Sequence, residues 1–308
     1  MPRVLAAAAL ALAALVPGPL AAEGRDAPAR QGDGSLPGLG WARSGWLRAP
    51  GAAMIRLAAT RFVMGSTPAE VVEATALCGR RSVRCEPSDF ADELPAHPVR
   101  LASFHIDRTE VTVAAYRRCV AARRCREPPY AEGAARFDRA ELPVVLVTRD
   151  DAAAYCAFRG ARLPTEAEWE RAARGPRSRR FPWGRGFHGA LANHGRAGLD
   201  RTERRDGYAE LAPVGSFPGG RTVEGVLDLA GNASEWVADW YRPTYPSGAA
   251  RDPQGPAAPG PNGTGVVRGG DFESPAAWLR GAARREADIT ARVANVGFRC
   301  ARSARRGR

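Results

Sequence analysis

The stretch Arg162-Leu-Pro-Thr-Glu-Ala-Glu-Trp-Glu170 predicts the start of a helix. Thr165 and Glu168 have the spacing of a capping box, in which the two side chains satisfy free backbone amides of the first turn. Gly175 follows the last turn and can close the helix. The stretch therefore predicts one short helix, bounded on its carboxyl side by a long region rich in glycine and proline.

Before this stretch, short strands and helices are expected to alternate, and regular structure should begin near Arg56. Turn residues and capping residues separate these segments, which favours short elements over long ones. Strands are predicted over 61–64, within 97–111 and over 142–147. Helices are predicted from Pro68 to about Leu77 after the cap Thr67, from Thr112 to about Arg123, and from Thr148 to Gly160.

After this stretch, residues 176–265 have almost no helical periodicity. Gly, Pro, Asn and Asp dominate there, so the region is expected to be either an ordered loop or mostly disordered. Trp183, Trp236 and Trp240 favour order. Short strands are predicted again around 266–268 and 298–300.

The composition excludes several kinds of protein. The 34 Gly and 25 Pro make up about a fifth of the 308 residues, which disfavours a helical bundle. All 45 basic residues are Arg, so Schiff-base lysines and a Walker-type phosphate-binding lysine are excluded. The net charge is +12, but the Arg residues are scattered among acidic ones, and we expect no nucleic-acid partner.

The amino terminus has the pattern of an export signal. Residues 1–22 combine Arg3, a short apolar run, a Pro-Gly-Pro break and Ala21-Ala22. The sequence therefore predicts a secretory signal peptide over 1–22, a linker or poorly ordered arm over 23–55, and a basic tail over 303–308. We expect a periplasmic or extracellular protein without a membrane span, and a monomer.

Six cysteines in an exported protein indicate disulfides, because the compartment is oxidising. Fifteen pairings are possible in principle. Spacing favours Cys78–Cys85 and Cys119–Cys125 as local pairs, which leaves Cys156 and Cys300 for a long-range bond. A zinc site is disfavoured because no Cys-x-x-Cys is present.

Taken together, these segments resemble the formylglycine-generating enzyme (sulfatase-modifying factor) family over residues 56–302. The resemblance implies an α+β protein: a single domain with a variant C-type lectin fold, little regular secondary structure and a Cys156–Cys300 disulfide. The motifs that carry it are Phe62-Val-Met-Gly-Ser66, Thr109-Glu-Val-Thr112, Pro143-Val-Val, Asp150-Asp-Ala-Ala-Ala-Tyr-Cys156, Arg162 to Glu170, Phe181-Pro-Trp-Gly184, Asp228-Leu-Ala-Gly-Asn-Ala-Ser-Glu-Trp236, Arg268-Gly-Gly270 and Asn295-Val-Gly-Phe-Arg-Cys300.

The resemblance also implies two structural calcium sites. Calcium prefers carboxylate and carbonyl oxygens from a folded loop, and such ions would hold together a region poor in regular structure. The alternative is a set of turn-forming Asx residues without a metal. The first set is Asn193, the carbonyl of His194, Asp206 and the carbonyl of Tyr208; the second is Asp228, the carbonyls of Gly231 and Ala233, and Glu235.

The family's activity is oxidation of a cysteine in a sulfatase to formylglycine, with Cu(I) held by two cysteines. Those positions fall on Ser274 and Leu279 here. A hydroxyl is a poor ligand for Cu(I) and Leu is none, so we expect no copper. Arg149 and Ser234 stand where the family usually has Trp.

Three functions stay open. The first is a family member without copper chemistry, either catalytically silent or an oxidative maturation factor for a secreted polypeptide or small molecule. The second is a peptide, glycan or small-molecule binding module, and the third is a true formylglycine-generating enzyme with rearranged cysteines. Asp271 and Glu273 are acid–base candidates, and Ser274 and Arg268 are further catalytic candidates. Arg268 and Arg280 are also possible anion clamps, and the alternative for each residue is a satisfied surface or loop salt bridge.

Overall fold

The computed structural model describes residues 53–78, 85–131, 133–195 and 206–304. The predicted signal peptide, the arm up to residue 52 and the tail from residue 305 lie outside these ranges. The helices are α1 Pro68–Thr75, α2 Val113–Ala121, α3 Arg149–Phe158 and α4 Glu166–Arg174. The strands are β1 Met54–Leu57, β2 Thr60–Met64, β3 His97–Leu101, β4 Phe104–Asp107, β5 Ser234–Trp240, β6 Ala250–Arg251, β7 Thr264–Arg268, β8 Arg284–Asp288, β9 Val296–Phe298 and β10 Ala301–Ser303.

The described strands form three small sheets. Their strand orders are β1-β4-β10, β2-β3-β6 and β8-β7-β5-β9. In the third sheet β5 runs antiparallel to β7 and parallel to β9, so β5 and β7 are the two inner strands. Four short helices and three short sheets confirm a mixed fold with little regular structure.

The predicted capping boxes at Thr67 and Thr165 are confirmed, and Thr148, predicted only as a helix start, forms a third. Thr67, Thr148 and Thr165 each accept a hydrogen bond from the backbone amide three residues on, and the acidic side chain at that position returns the contact. Gly175, with φ +64°, ends α4. Such caps satisfy amides that would otherwise lack partners, which stabilises helices of only eight to ten residues.

Two strand predictions are wrong. Residues 142–147 form no strand; Pro143 makes one isolated bridge with Thr112, and Leu146 has φ +61°. The apolar run is buried as irregular core instead. Conversely, β5 lies inside 176–265, where no strand was predicted. The tail also begins later than predicted, because β10 pairs with β4 through Ser303.

Two large apolar clusters form the core. One packs α2 and α3 against the β5 side of the third sheet around Trp236, and the other packs α4 beneath the first two sheets around Trp169. The three disulfides are Cys78–Cys85, Cys119–Cys125 and Cys156–Cys300, the pairs expected from the sequence. No helix in the described ranges is long and apolar enough to cross a membrane.

Candidate functional site

Asp271 is the centre of a polar cluster at the end of β7. Its Oδ1 accepts hydrogen bonds from Ser274 Oγ at 2.9 Å and from the Glu273 amide at 3.1 Å. Its Oδ2 accepts from Arg285 Nη2 at 2.8 Å, and from Ser234 and Asn295 at 3.1 Å. Five donors hold this carboxylate, and its side chain is buried. Asp271 is therefore fixed as a structural acceptor, and its lone pairs are not free for a general base.

Ser274 and Leu279 occupy the positions of the family's copper ligands, and both are engaged elsewhere. Ser274 Oγ donates to Asp271 and accepts from the Asp271 amide at 3.1 Å. Leu279 is fully buried in a small apolar cluster with Phe181 and Ala230. A hydroxyl bound to a carboxylate and an aliphatic side chain in the core offer no soft ligand.

Arg268 and Arg280 are not anion clamps, which corrects the sequence-based hypothesis. Arg268 is buried and donates to Glu170 Oε2 at 2.7 Å and to Glu166 Oε1 at 3.2 Å. Arg280 makes a buried bidentate pair with Glu93. The sequence could not reveal this, because each partner is about a hundred residues or more away along the chain.

Glu273 lies where the Asp271 cluster meets the first predicted calcium set. A Cβ on Gly195 would approach the Glu273 carbonyl to 2.4 Å, and the Gly195 amide donates to the Ser274 carbonyl at 3.1 Å. Side chains larger than glycine would therefore separate the two loops. The structure thus brings three of the four catalytic candidates together with 193–195, while Arg268 lies on the other side of the sheet.

The residues of the first predicted calcium set lie in two loops joined through Asp206, and Asn193 has an open side-chain oxygen. Asn193 is buried; its Nδ2 donates to Asn232 Oδ1 and to the Glu210 carbonyl, while its Oδ1 has no hydrogen-bond partner in the described ranges. Asp206 accepts from the His194 amide at 2.7 Å and from the Tyr208 amide at 3.0 Å. An orphaned amide oxygen next to a loop held by a carboxylate is the donor chemistry that calcium accepts.

The second set sits in a buried cluster of excess negative charge. Burial raises the pKa of Glu110 well above its usual range, and neighbouring Asp228 adds to this rise. Burial also raises the pKa of Asp228 and of Glu235, while Arg299 opposes both rises. Three carboxyl groups thus share one guanidinium, and protons or a cation must supply the remaining charge.

Glu235 itself points toward Arg299. Its two oxygens accept from Arg299 Nη2 at 2.6 Å and Nε at 2.7 Å, and Trp169 Nε1 donates to it at 2.8 Å. Glu110 Oε2, in contrast, is buried without a partner in the described part of the chain. The charge of the cluster fits a divalent cation, but the open oxygen belongs to Glu110, whereas both oxygens of Glu235 are engaged. Among the described residues, no three His, Cys, Asp or Glu side chains are arranged as a metal site, so either set would depend on backbone carbonyls.

Sequence reasoning missed Glu110, Arg299 and Arg285 as members of these clusters. Glu110 and Arg299 stand inside motifs of the family resemblance, Thr109–Thr112 and Asn295–Cys300, which is the one signal that marked them. At the two positions where the family usually has Trp, the residues of this chain make contacts of their own. Arg149 stacks over Trp240 at 3.8 Å, and Ser234 links Asp271 to Arg285.

Comparison with known proteins agrees with this geometry. Residues 47–304 match the profile of the sulfatase-modifying factor enzyme 1-like domain. The chain is 37% identical over 191 residues to the inactive C-alpha-formylglycine-generating enzyme 2 of Mus musculus, covering 58% of this chain and 54% of that protein. It is 35% identical over 267 residues to the formylglycine-generating enzyme of Streptomyces coelicolor, covering 69% and 82%.

A further relative is the formylglycine-generating enzyme of Thermomonospora curvata, 42% identical over 188 residues, 56% of this chain and 59% of that protein. The chain thus spans little more than half the length of two of these three relatives. Among solved structures, PvdO from Pseudomonas aeruginosa superposes with a TM-score of 0.61 at 27% identity, covering 82% of this chain and 94% of that one. CarF, at 19% identity and a TM-score of 0.52, covers 82% and 98% and shares the fold.

Proposed function

The chain belongs to the sulfatase-modifying factor enzyme 1-like family, and we propose that it is an exported member without copper-dependent oxidation of cysteine to formylglycine. Its role is then to bind a secreted polypeptide or small molecule. The relative from Mus musculus, which is named inactive, supports the idea that the family scaffold serves without this chemistry.

Two observations carry the proposal: the cysteines are all in disulfides, and neither copper-ligand position holds a cysteine. All six cysteines are paired in disulfides, so the chain has no thiolate to offer Cu(I). Leu279 is packed in an apolar cluster and Ser274 is bound to Asp271. Soft thiolate ligands are what Cu(I) requires, and hydroxyl or aliphatic groups do not replace them.

A direct assay tests this proposal. The purified protein is incubated with Cu(I), O₂ and a cysteine-containing sulfatase peptide, and the peptide is examined by mass spectrometry for formylglycine. The Thermomonospora curvata enzyme serves as the positive control. We expect conversion by the control alone; turnover by this protein would overturn the argument from Ser274 and Leu279.

A thiol count supplies an independent check. Denatured, unreduced protein treated with a thiol reagent should contain no reactive cysteine, because the three disulfides use all six. Two free thiols would revive a rearranged copper site. The same sample tests export, since a mature protein that begins after Ala22 is expected in the periplasm or medium, and retention of the uncleaved chain in the cytoplasm would contradict it.

Calcium is the cofactor that we propose for this scaffold. The open Asn193 Oδ1 supports the first set, and the excess charge of Glu110 and Asp228 supports the second. Asn193 and Asp206 would hold the ion at the first set, and Asp228 with nearby carbonyls at the second. The ions would neutralise buried carboxylates and fix the loops before β5, a structural role with no part in a reaction.

A further inference from the structure

A deep cleft opens beside the amino-terminal end of α4. Its volume is about 620 Å³, within the range of small-molecule sites. Trp240 at the end of β5 and Tyr245 in the segment that follows it form one wall, and Pro253 and Pro256 form another. The surface is mainly apolar, so the cleft offers a small organic molecule a place to bury carbon atoms.

This cleft is not the site of the family's copper positions. Asp239 of β5 accepts from the Glu166 amide of α4 at 2.8 Å, and the cleft lies on this α4 side of the sheet. Ser234 of the same strand instead contacts Asp271 and Arg285, in the Asp271 cluster. The cleft and the Ser274 loop therefore stand on different faces of one sheet.

Four charged side chains line the cleft, and three have their polar atoms engaged. Glu166 accepts from Arg284 Nε at 2.7 Å and from Tyr245 Oη at 2.9 Å. Arg284 also donates to the Arg242 carbonyl, and Arg242 donates to carbonyl oxygens of the neighbouring loop. Glu166 and Arg284 neutralise one another. Arg242 has no ion pair among the described residues, but its hydrogen bonds run to backbone carbonyls.

Asp239 is the fourth, and it is incompletely satisfied. Its side chain is 5% exposed. Oδ2 accepts from the Glu166 amide, whereas Oδ1 has no hydrogen-bond partner among the residues that the structure describes. Oδ1 is not among the fully buried atoms without a partner, so it is accessible from the cleft. A positively charged donor is the partner that best matches such a carboxylate oxygen in a mainly apolar cleft.

We propose that the cleft binds an organic cation, a protonated amine or guanidinium on an apolar body, with its cationic group against Asp239. The proposal names a ligand class for the binding role above, but it does not depend on the copper positions. An anionic ligand would face the one open carboxylate, and a neutral ligand would leave Oδ1 without a counter-charge.

A glycine is required beside this carboxylate. Gly255 has φ +71°, and a Cβ there would lie 2.5 Å from Asp239 Oδ1. Any other residue would cover the oxygen with a methyl group or more. Burial, with Glu166 close by, raises the pKa of Asp239 to about 7, and the nearby Arg284 opposes this rise without cancelling it.

Three indole compounds of similar size test the charge requirement on the unaltered protein. Tryptamine carries an ammonium, tryptophol a hydroxyl and indole-3-propionate a carboxylate. Isothermal calorimetry at pH 7.5 should give saturable binding of tryptamine, about tenfold or more tighter than tryptophol. We expect no binding of the propionate.

Asp239→Asn then tests the residue. The amide can still accept from the Glu166 amide, so folding is preserved, and the melting temperature verifies it. We expect tryptamine affinity to fall by about tenfold while tryptophol affinity stays the same. Asp288→Asn, at an exposed position on β8, is the control and should change neither affinity.

Three results would overturn the inference: no tryptamine binding at millimolar concentration, equal affinities for the three compounds, or an Asp239→Asn variant that binds tryptamine as the parent does. The copper assay tests the proposed loss of oxidation independently of the cleft. Turnover there would refute the loss of oxidation without touching this cleft, and failure here would leave the argument from Ser274 and Leu279 as it stands.

Discussion

Asp239 gives the fold a pH dependence that a single substitution can isolate. In the unfolded chain this carboxyl ionises near 3.8, whereas in the fold burial raises its pKa to about 7, with Glu166 adding to the rise and Arg284 opposing it. Unfolding therefore releases a proton between these values, so Asp239 stabilises the fold below pH 4 and loses that contribution as pH rises through 7.

Asp239→Asn removes this titration. As pH rises from 4 to 7.5, the parent should lose up to about 4 kcal/mol in free energy of unfolding relative to the variant. The melting temperature of the parent minus that of the variant should therefore decrease steadily over this range. Thermal unfolding followed by circular dichroism across this range measures it. A difference that stays constant with pH would mean that Asp239 ionises normally in the fold.

Restoring two sulfur ligands is the second change at this scale. The double variant Ser274→Cys, Leu279→Cys should acquire a Cu(I) site, because thiolates then stand at both family positions. We expect competition with a chromophoric Cu(I) chelator to detect one bound ion, at a cost of about 1–3 kcal/mol for loss of the buried Leu279 side chain. The single variant Ser274→Cys, which has one thiolate, should bind no tighter than the parent; equal retention by both variants would contradict the prediction.

The sequence alone predicted some positions of the candidate site, but it did not predict which side chains those residues contact. Ser274 and Leu279 were placed from the order of motifs, and the calcium sets were placed in the same way. The roles of Asp271 and Arg268 could not be read from the sequence, since each depends on side chains that folding brings from distant segments, such as Asn295 and Glu166.

The Cys156–Cys300 disulfide joins α3 to the segment between β9 and β10. It closes a loop with a sequence separation of 144, whereas Cys119–Cys125 closes one of 6. Since a cross-link stabilises chiefly by restricting the unfolded chain, replacing both cysteines of the long-range pair by Ser should cost about 3 kcal/mol more than replacing both of the local pair. Urea unfolding of the two double variants measures this, and a larger loss from the local pair would refute it.

Short-range signals predicted helices better than strands. Thr67, Thr148 and Thr165 mark helix starts because a cap is a contact between residues three apart. β5 escaped prediction because Glu235 and Asp239 are charged yet buried, and their partners come from β9–β10 and α4. The 142–147 run failed for the opposite reason, since apolar residues are buried there without pairing in a sheet.

The proposed calcium ions would act on the molecule as a whole, because both residue sets lie in loops that precede or surround the central sheet. Added Ca²⁺ should raise the melting temperature of the parent in a concentration-dependent way, and a chelator should reverse the shift. Asp206→Asn and Asp228→Asn each remove one carboxylate from one set, so each should reduce the shift. The larger reduction identifies the stronger site, and a parent that does not respond to Ca²⁺ would exclude both.

The net charge of the chain is large, but it is a poor guide to function. Several of the arginines are buried in ion pairs, among them Arg268, Arg280, Arg284 and Arg299. These guanidiniums hold strands and loops to one another, and they are not presented to a partner. The glycine and proline content, by contrast, was a sound guide to a fold of short elements and long connections.

The pairing of every cysteine has a practical consequence for labelling. No side chain in the sequence carries a primary amine, and no thiol is free in the folded domain. Reagents aimed at lysine or cysteine side chains, such as succinimidyl esters and maleimides, should leave the folded domain unmodified at these side chains. One cysteine introduced at the mouth of the cleft, at Thr244, would then be the single thiol available for attaching a fluorophore or spin label.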